Sequence, residues 1–219
     1  MNDVIALLHT FEGMNISSKW NDLLDLYDDV DNHSSIFTSS LDISCPPSCG
    51  TCCEHFIPDL STHEASLIAA YMMFIKKDVH LISLINPVYK GKGCPLYNKE
   101  DPYHCQIYPV RSLVCRLFGA APSKTKYDAP VFRKCKYNSD ETQKKVIESV
   151  EITEKVQEVQ TMQDASGHLY SLLIETSNEP LFVAVYNAMN HLTLISSYMA
   201  LEEIEVPLDQ PDPSSPIAV

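Results

Sequence analysis

Apolar side chains recur at helical spacing over most of the chain. Val4, Leu7, Leu8 and Phe11 fall on one face and predict a short helix over 3–11. Trp20, Leu23, Leu24, Tyr27 and Val30 repeat the pattern and predict a stronger helix over 18–30, capped by Ser17 or Ser18. Asp22, Asp25, Asp28, Asp29 and Asp31 occupy its other positions. No glycine-centred loop of the EF-hand kind accompanies them, so they read as a solvated face. Ser61-Thr-His-Glu64 is a capping box. It opens a predicted helix to about Lys77, with Leu67, Ile68, Tyr71, Met72 and Ile75 toward a core. Ile152, Val156, Val159 and Met162 stripe a long predicted helix from about Ser139 to Met162, and Gly167 breaks the chain beyond it. Pro180 to Glu203 reads as another helix, apolar on most sides and therefore largely buried. Val206 to Val219 carry four prolines and no period, and read as a disordered tail.

In the middle of the chain the pattern fails. Residues 31–60 are polar and broken by proline, and read as loop. Asn86-Pro87 and Gly91-Lys-Gly93 are turn signals. Cys94–Tyr97 and His104–Tyr108 flank a polar link and predict a small hairpin. Pro109 suits the first turn of a short helix through Phe118, ended by Gly119. On such a helix Arg111 and Cys115, four apart, share a face.

All eight cysteines fall in this irregular stretch. Cys45, Cys49, Cys52 and Cys53 form the first group; Cys94, Cys105 and Cys115 follow, and Cys135 closes the set. Cysteines scattered for packing would not segregate in this way. Pro46 and Pro47 stiffen the first loop, and Gly50 permits the turn that bends backbone around a metal. Four thiolates suit one tetrahedral zinc, and four equally hold an iron–sulfur cluster. Eight allow two such sites, or one site and other thiols. Neighbouring residues direct their side chains apart, so Cys52 and Cys53 favour a polynuclear centre or two nearby sites over one shared ion. The spacing matches neither the two-pair zinc ribbon nor the ferredoxin run. Disulfides are the rival reading.

Composition bears on that choice. At 219 residues with 45% hydrophobic content, the chain reaches a stable core without crosslinks. The amino terminus lacks the basic flank of a secretory signal, and no apolar run approaches a membrane span. These features predict a cytoplasmic protein with reduced thiols, where cysteine clusters bind metal or do redox chemistry. The net charge of −13 argues against nucleic acid. Residues 90–136 nevertheless form a basic island of net +7. Metal-bound thiolates carry excess negative charge, and Arg111 and Arg116, inside the motif, are candidates to offset it. The competing reading pairs them with surface carboxylates of this acidic chain.

The run Cys45-Pro-Pro-Ser-Cys49-Gly50-Thr-Cys52-Cys53, then Cys94-Pro-Leu96, then Cys105-Gln-Ile107-Tyr108-Pro-Val-Arg111-Ser-Leu-Val-Cys115-Arg116-Leu-Phe118, then Cys135, resembles the YkgJ-type cysteine-cluster family. Members of that family are described as chelating zinc or iron. All eight cysteines find a place in its pattern, as do Gly50, Ile107, Tyr108, Arg111, Arg116 and Phe118. Ser112 departs from it, since many members carry proline there; that changes the helix start and no ligand. The resemblance covers about 45–137 and neither 1–44 nor 138–219. It implies chelation by Cys45, Cys49, Cys52, Cys53, Cys94, Cys105, Cys115 and Cys135. A similar cysteine signature occurs in flagellin lysine N-methylases, so the resemblance also admits an iron–sulfur or multinuclear iron enzyme acting on a peptide. No glycine-rich methyl-donor loop supports that reading.

His55 and His104, close to Cys53 and Cys105, are secondary candidates as ligands or proton carriers. No Ser–His–Asp set, P-loop or dinucleotide fingerprint stands out. The expected protein is mainly α: N-terminal helices over 1–44, a loop-rich metal-binding module over 45–137 with one small hairpin, a helical part over 138–205 and a tail over 206–219. Its expected role is structural or mediated by a protein partner.

Overall fold

The computed structural model of this protein describes residues 2–45, 49–173 and 178–202. The predicted tail, 206–219, lies outside them, as do Pro46 and Pro47. The fold is mainly α, with short antiparallel strands in two small sheets. No helix among the described residues is long and apolar enough to cross a membrane.

Helices α1 (Asn2–Thr10) and α2 (Asn15–Ser40) follow one another through Gly13, whose φ of +84° only glycine adopts without strain. Helix α2 begins at Asn15 with no side-chain cap, so Ser17 lies inside it and does not cap it. It also runs on through 31–40, which the sequence reading assigned to loop. The reason is a stripe of wide spacing: Phe37 and Leu41 continue the buried line of Leu23 and Val30. They pack into a second, smaller hydrophobic cluster with Phe132, Ile147, Ile152 and Val156. Intervening serines and threonines bond back to the preceding turn, as Thr38 Oγ1 does to the Ser34 carbonyl at 2.7 Å.

Helix α3 (Thr62–Ala70) continues into a π-helical turn, Tyr71–Lys76, and a short α4 (Val79–Ser83) follows. Lys77, left-handed at φ +52°, ends this run where the sequence places its end. Helix α3 packs along α8 (Leu181–Glu202) and against α2. Helix α8 buries Leu181, Ala184, Val185, Ala188, Met189 and Leu192 on one stripe, while Tyr186, Leu194 and Tyr198 are exposed. It is therefore amphipathic and not largely buried. Strand β1 (Asp59–Leu60) pairs with β5 (Glu179–Pro180) at its start.

The long helix expected over 139–162 does not form. Residues 123–147 build a three-stranded sheet from β2 (Ser123–Lys124), β3 (Pro130–Arg133) and β4 (Val146–Ile147), paired in that order. Helix α6 (Ser149–Lys155) is short, and α7 (Met162–Leu173) is separate. Thr161 and Asp164 bond reciprocally at the start of α7, with Thr161 N donating to Asp164 at 3.1 Å and Asp164 N to Thr161 Oγ1 at 3.2 Å. That capping pattern restarts the helix inside the apolar stripe. Gly167 sits within α7 and does not break it.

The predicted capping box is present and does more than cap. Glu64 N donates to Ser61 Oγ at 3.3 Å, and Glu64 Oε2 accepts from Ser61 N at 3.1 Å. The other oxygen, Oε1, accepts from Tyr27 Oη at 3.1 Å and from Leu113 N at 2.9 Å. Leu113 opens helix α5 (Leu113–Leu117), so one carboxylate, 4% exposed, joins three helices. Its donors satisfy the charge that burial strips of water. Burial, and then the charge of Glu64, push the Tyr27 phenol well above its usual range, so it remains a donor.

Two stability predictions follow from these placements. Glu64→Ala strands Tyr27 Oη, Ser61 N and Leu113 N, and should cost about 3 kcal/mol or more in denaturant unfolding. Gly167→Ala meets nothing within 4 Å of its new β-carbon, and should raise stability by about 0.5–1 kcal/mol in the same measurement.

Candidate metal centre

Seven of the eight cysteines line one cavity of about 430 Å³: Cys45, Cys49, Cys52 and Cys53 from the first group, and Cys94, Cys105 and Cys115 from the second. All eight are free thiols, Cys45 exposed and the others half-buried. Cys135 does not line the cavity. It and Cys45 both lie beside Gly119, where a β-carbon would stand 3.5 Å from Cys135 Cβ and 3.8 Å from Cys45 Sγ.

Backbone contacts bring the two groups together. The turn after Gly50 is closed by Cys53 N donating to the Gly50 carbonyl at 2.9 Å. Cys94 N donates to the Cys53 carbonyl at 2.7 Å and clamps the second group onto the first. Gly93 makes that approach possible, since a β-carbon there would lie 2.6 Å from the Glu54 oxygen and 2.7 Å from that of Cys53. The predicted hairpin is reduced to a single antiparallel bridge between Tyr97 and Cys105, flanked by Gln106 N donating to the Leu96 carbonyl at 3.2 Å. Gly50 serves this contact and not a left-handed turn. A β-carbon there would fall 2.5 Å from the Tyr97 ring and 2.8 Å from His104 Cβ.

The stretch after Cys105 also differs from the single short helix expected. A 3-10 turn, Tyr108–Val110, stops at Arg111, which is extended at ψ 145°, and α5 starts only after Ser112, its N-cap position. Arg111 and Cys115 therefore do not share a helix face, although both line the cavity. The cause lies in Arg116. Its Nε donates to the Arg111 carbonyl at 3.0 Å and its Nη2 to the Pro109 carbonyl at 2.8 Å, so those carbonyls face a guanidinium. Arg116 also pairs with Asp31 and stacks 4.2 Å above the Tyr27 ring. Asp31, read from sequence as part of a solvated face, is thus half of this ion pair.

Arg111 is the one basic side chain on the cavity wall among the described residues. It lies 4.1 Å over the Tyr108 ring and 3.7 Å from Asp31, and its buried Nε has no hydrogen-bond partner. Arg116 is 7% exposed, does not line the cavity and braces the loop instead. His55 stacks on Tyr137 at 5.1 Å, and His104 sits on the hairpin; neither lines the cavity. Phe56, Tyr103, Tyr108 and Phe118 give the cavity aromatic walls. Tyr103 and Phe56 carried no signal in the sequence, because a lone aromatic in a loop has no period to betray it.

Cys52 and Cys53 do not point apart. Their sulfurs are 3.9 Å apart, with an S–H···S bond between them. Two thiolates on one tetrahedral zinc at about 2.3 Å stand about 3.8 Å apart, so adjacency in sequence does not bar a shared ion. The bond between them lowers the Cys52 pKa to about 6 and raises that of Cys53. The deeper thiols move the other way. Burial, reinforced by neighbouring sulfurs, pushes Cys94 up to about 12 and Cys115 up to about 11. It also raises Cys105 and Cys45. Ser112 Oγ donates to Cys115 Sγ at 3.3 Å and partly opposes this.

Among the described residues no three Cys, His, Asp or Glu side chains already stand so that they could hold a metal ion. The donor chemistry nevertheless fits a thiophilic cation. The raised thiols resist ionising chiefly because burial strips the thiolate of water, and then because it would face other sulfurs; a cation offsets both by coordinating them. Zinc and iron both take such ligands.

Residues 44–136 match the model of the CxxCxxCC family, described as "Putative zinc- or iron-chelating domain". Comparison with curated proteins finds no match, and comparison with solved structures finds none. The matched segment holds all eight cysteines, Arg111 and Arg116, and every thiol on the cavity wall. The cysteine segment of this chain is thus similar to the CxxCxxCC family, the family that its motifs resemble.

Proposed function

We propose that residues 45–137 chelate zinc or iron through the thiolates of Cys45, Cys49, Cys52, Cys53, Cys94, Cys105, Cys115 and Cys135, in a reducing cytoplasmic setting. The observation that carries this reading is the convergence of seven free thiols, from stretches up to 70 residues apart, on one cavity. Arg111 offsets the thiolate charge from the wall, where its buried Nε has no hydrogen-bond partner. Arg116 acts one step further out, by holding the carbonyls of Pro109 and Arg111. The ion ties the first and second cysteine groups together, so its role is structural and its biological action passes through a protein partner. Binding of the ion and folding of the segment are then one equilibrium.

A second reading rests on the aromatic walls. A mouth lined by Phe56, Tyr103, Tyr108 and Phe118 leads to the sulfurs, and its size is that of a small-ligand pocket. An iron–sulfur or multinuclear iron centre there would act on a peptide, as a lysine-methylase-like modification enzyme does. Full thiolate ligation of every ion argues for the structural role, and an open coordination position for the enzyme.

Anaerobic purification, elemental analysis and a visible spectrum on one sample separate these readings. The structural reading expects colourless protein with zinc; brown protein with iron and acid-labile sulfide supports the enzyme; protein without metal refutes chelation. Cys52→Ser should lower metal content and melting temperature together, and unchanged values for both would count against the ligand assignment.

The raised thiols set the sign of the pH dependence. Cys94 and Cys115 are protonated at neutral pH and must release protons when the ion enters. Zinc affinity, measured by competition with a chelator, should therefore fall at least about tenfold per pH unit from 8 to 6. In metal-free protein the linkage runs the other way. A thiol raised above its unfolded value of about 8.5 stabilises the fold below that pH and loses the contribution as pH rises through the folded value. The metal-free melting temperature should drop between pH 8 and 10, and a flat profile would show that the thiols are not held as described.

A further inference from the structure

A second cavity, of about 480 Å³, shares no lining residue with the thiol cavity. It fills the gap between α2 and α8, over α3, which packs against both helices. Leu60, Ala184 and Ala188 are buried in its floor, and the half-buried Ile16 extends that apolar surface. Ala184 and Ala188 are one turn apart on α8, and their small side chains leave the room. A cavity of this size, with an apolar floor and a few polar groups around it, is the usual form of a small-ligand site.

The charged groups divide between its two sides. On the α2 side stands Lys19, whose Nζ gives one of its three N–H groups to the Leu172 carbonyl at 3.1 Å and lies 4.0 Å from Asp22. Asn15, the first residue of a helix that has no side-chain cap, lines the same side. On the α8 side stands Glu179, whose Oε2 accepts from Asn187 Nδ2 at 3.2 Å. Among the described residues no ion pair joins Lys19 to Glu179. The regional charge does not account for the lysine. Outside 90–136 the chain carries six Lys and Arg against 26 Asp and Glu, so a cation facing a cavity there is uncommon.

A cation on one side, a carboxylate on the other and hydrocarbon beneath suit a molecule that carries the opposite charges and an apolar group at once. We propose that this cavity binds a free α-amino acid with an apolar side chain. Its carboxylate accepts from Lys19 and Asn15, its ammonium donates to Glu179, and its side chain rests on Leu60, Ala184 and Ala188. Partial enclosure strengthens both charged contacts relative to an open surface. A ligand with only one of the two charges leaves the group on the other side unpaired, so selection comes from both ends.

Trp20 is placed to report occupancy. It is the only tryptophan in the chain, and its Nε1 donates to Ser66 Oγ at 2.8 Å. Ser66 lines the cavity, so a ligand seated there alters the surroundings of the indole through one hydroxyl.

Calorimetric titration of the full chain with leucine, isoleucine, valine, methionine and phenylalanine, alongside Trp20 emission, tests this. The tightest of the five should bind at least about tenfold better than its deaminated acid and its decarboxylated amine. Glu179→Gln should erase the preference over the acid, and Lys19→Gln the preference over the amine. Ala188→Leu fills the floor and should abolish binding; if it fails to fold, the two charge variants carry the test. No binding of any of the five at millimolar concentration, an acid or amine that binds as tightly as the amino acid, or preferences unmoved by both charge variants would overturn the proposal. None of these outcomes touches the chelation reading, since the two cavities are separate.

Discussion

Burial of one carboxylate decides where the cysteine segment can sit. Glu64 has no water to solvate it, so its position is set by the groups that donate to it: Ser61 in its own cap, Tyr27 on α2 and the first amide of α5. A chain of opposite partners continues outward. Tyr27 lies under the Arg116 guanidinium, and Arg116 pairs with Asp31 on α2. Negative, phenolic, positive and negative groups alternate from the core to the surface. Because each member polarises and orients the next, the set stabilises α5 as a unit, not as a sum of pairs. Cys115 is carried on α5, and so inherits its place from a glutamate that the cavity never touches.

The thiols face the opposite electrostatic problem. They crowd a half-buried cavity with a single guanidinium on its wall, so most of them keep their protons in the protein alone. Much of the basic island that the sequence displays is occupied elsewhere. Lys124 pairs with Asp128 and Asp164, and Lys134 bonds the Asp140 carbonyl. A regional surplus of positive charge is therefore a poor guide to the local field at the sulfurs. What counts is which cation stands on the cavity wall itself, and that is Arg111.

Legibility of the sequence followed the strength of local physics. Helices α1 and α8, the Ser61–Glu64 box and the stop at Lys77 are readable because period and capping act within a few residues. The extension of α2 to Ser40 was hidden because its apolar positions, Phe37 and Leu41, serve a second cluster and recur too sparsely for a window to see. The replacement of a long helix by β3, β4, α6 and α7 turned on pairings between residues 13 and 15 apart and on the Thr161–Asp164 cap, a pattern present in the sequence and overridden by the apolar stripe. The cysteines were visible as a set, but their grouping was not. Gly50 and Gly93 work by close approach to segments about 40 to 50 residues away, which no local pattern encodes.

Those two glycines have a bearing on synthesis. Each is shaped to receive a part of the chain made at a different time: Gly50 waits for Tyr97 and His104, and Gly93 closes onto carbonyls already made. At a ribosomal pace of about 5–20 residues per second, Cys135 follows Cys45 by roughly 5–20 seconds. During that interval the early thiols have no enclosing partner and meet whatever oxidants and loose ions the surroundings offer. A nascent chain of this design carries its first thiols exposed before it has any cavity at all.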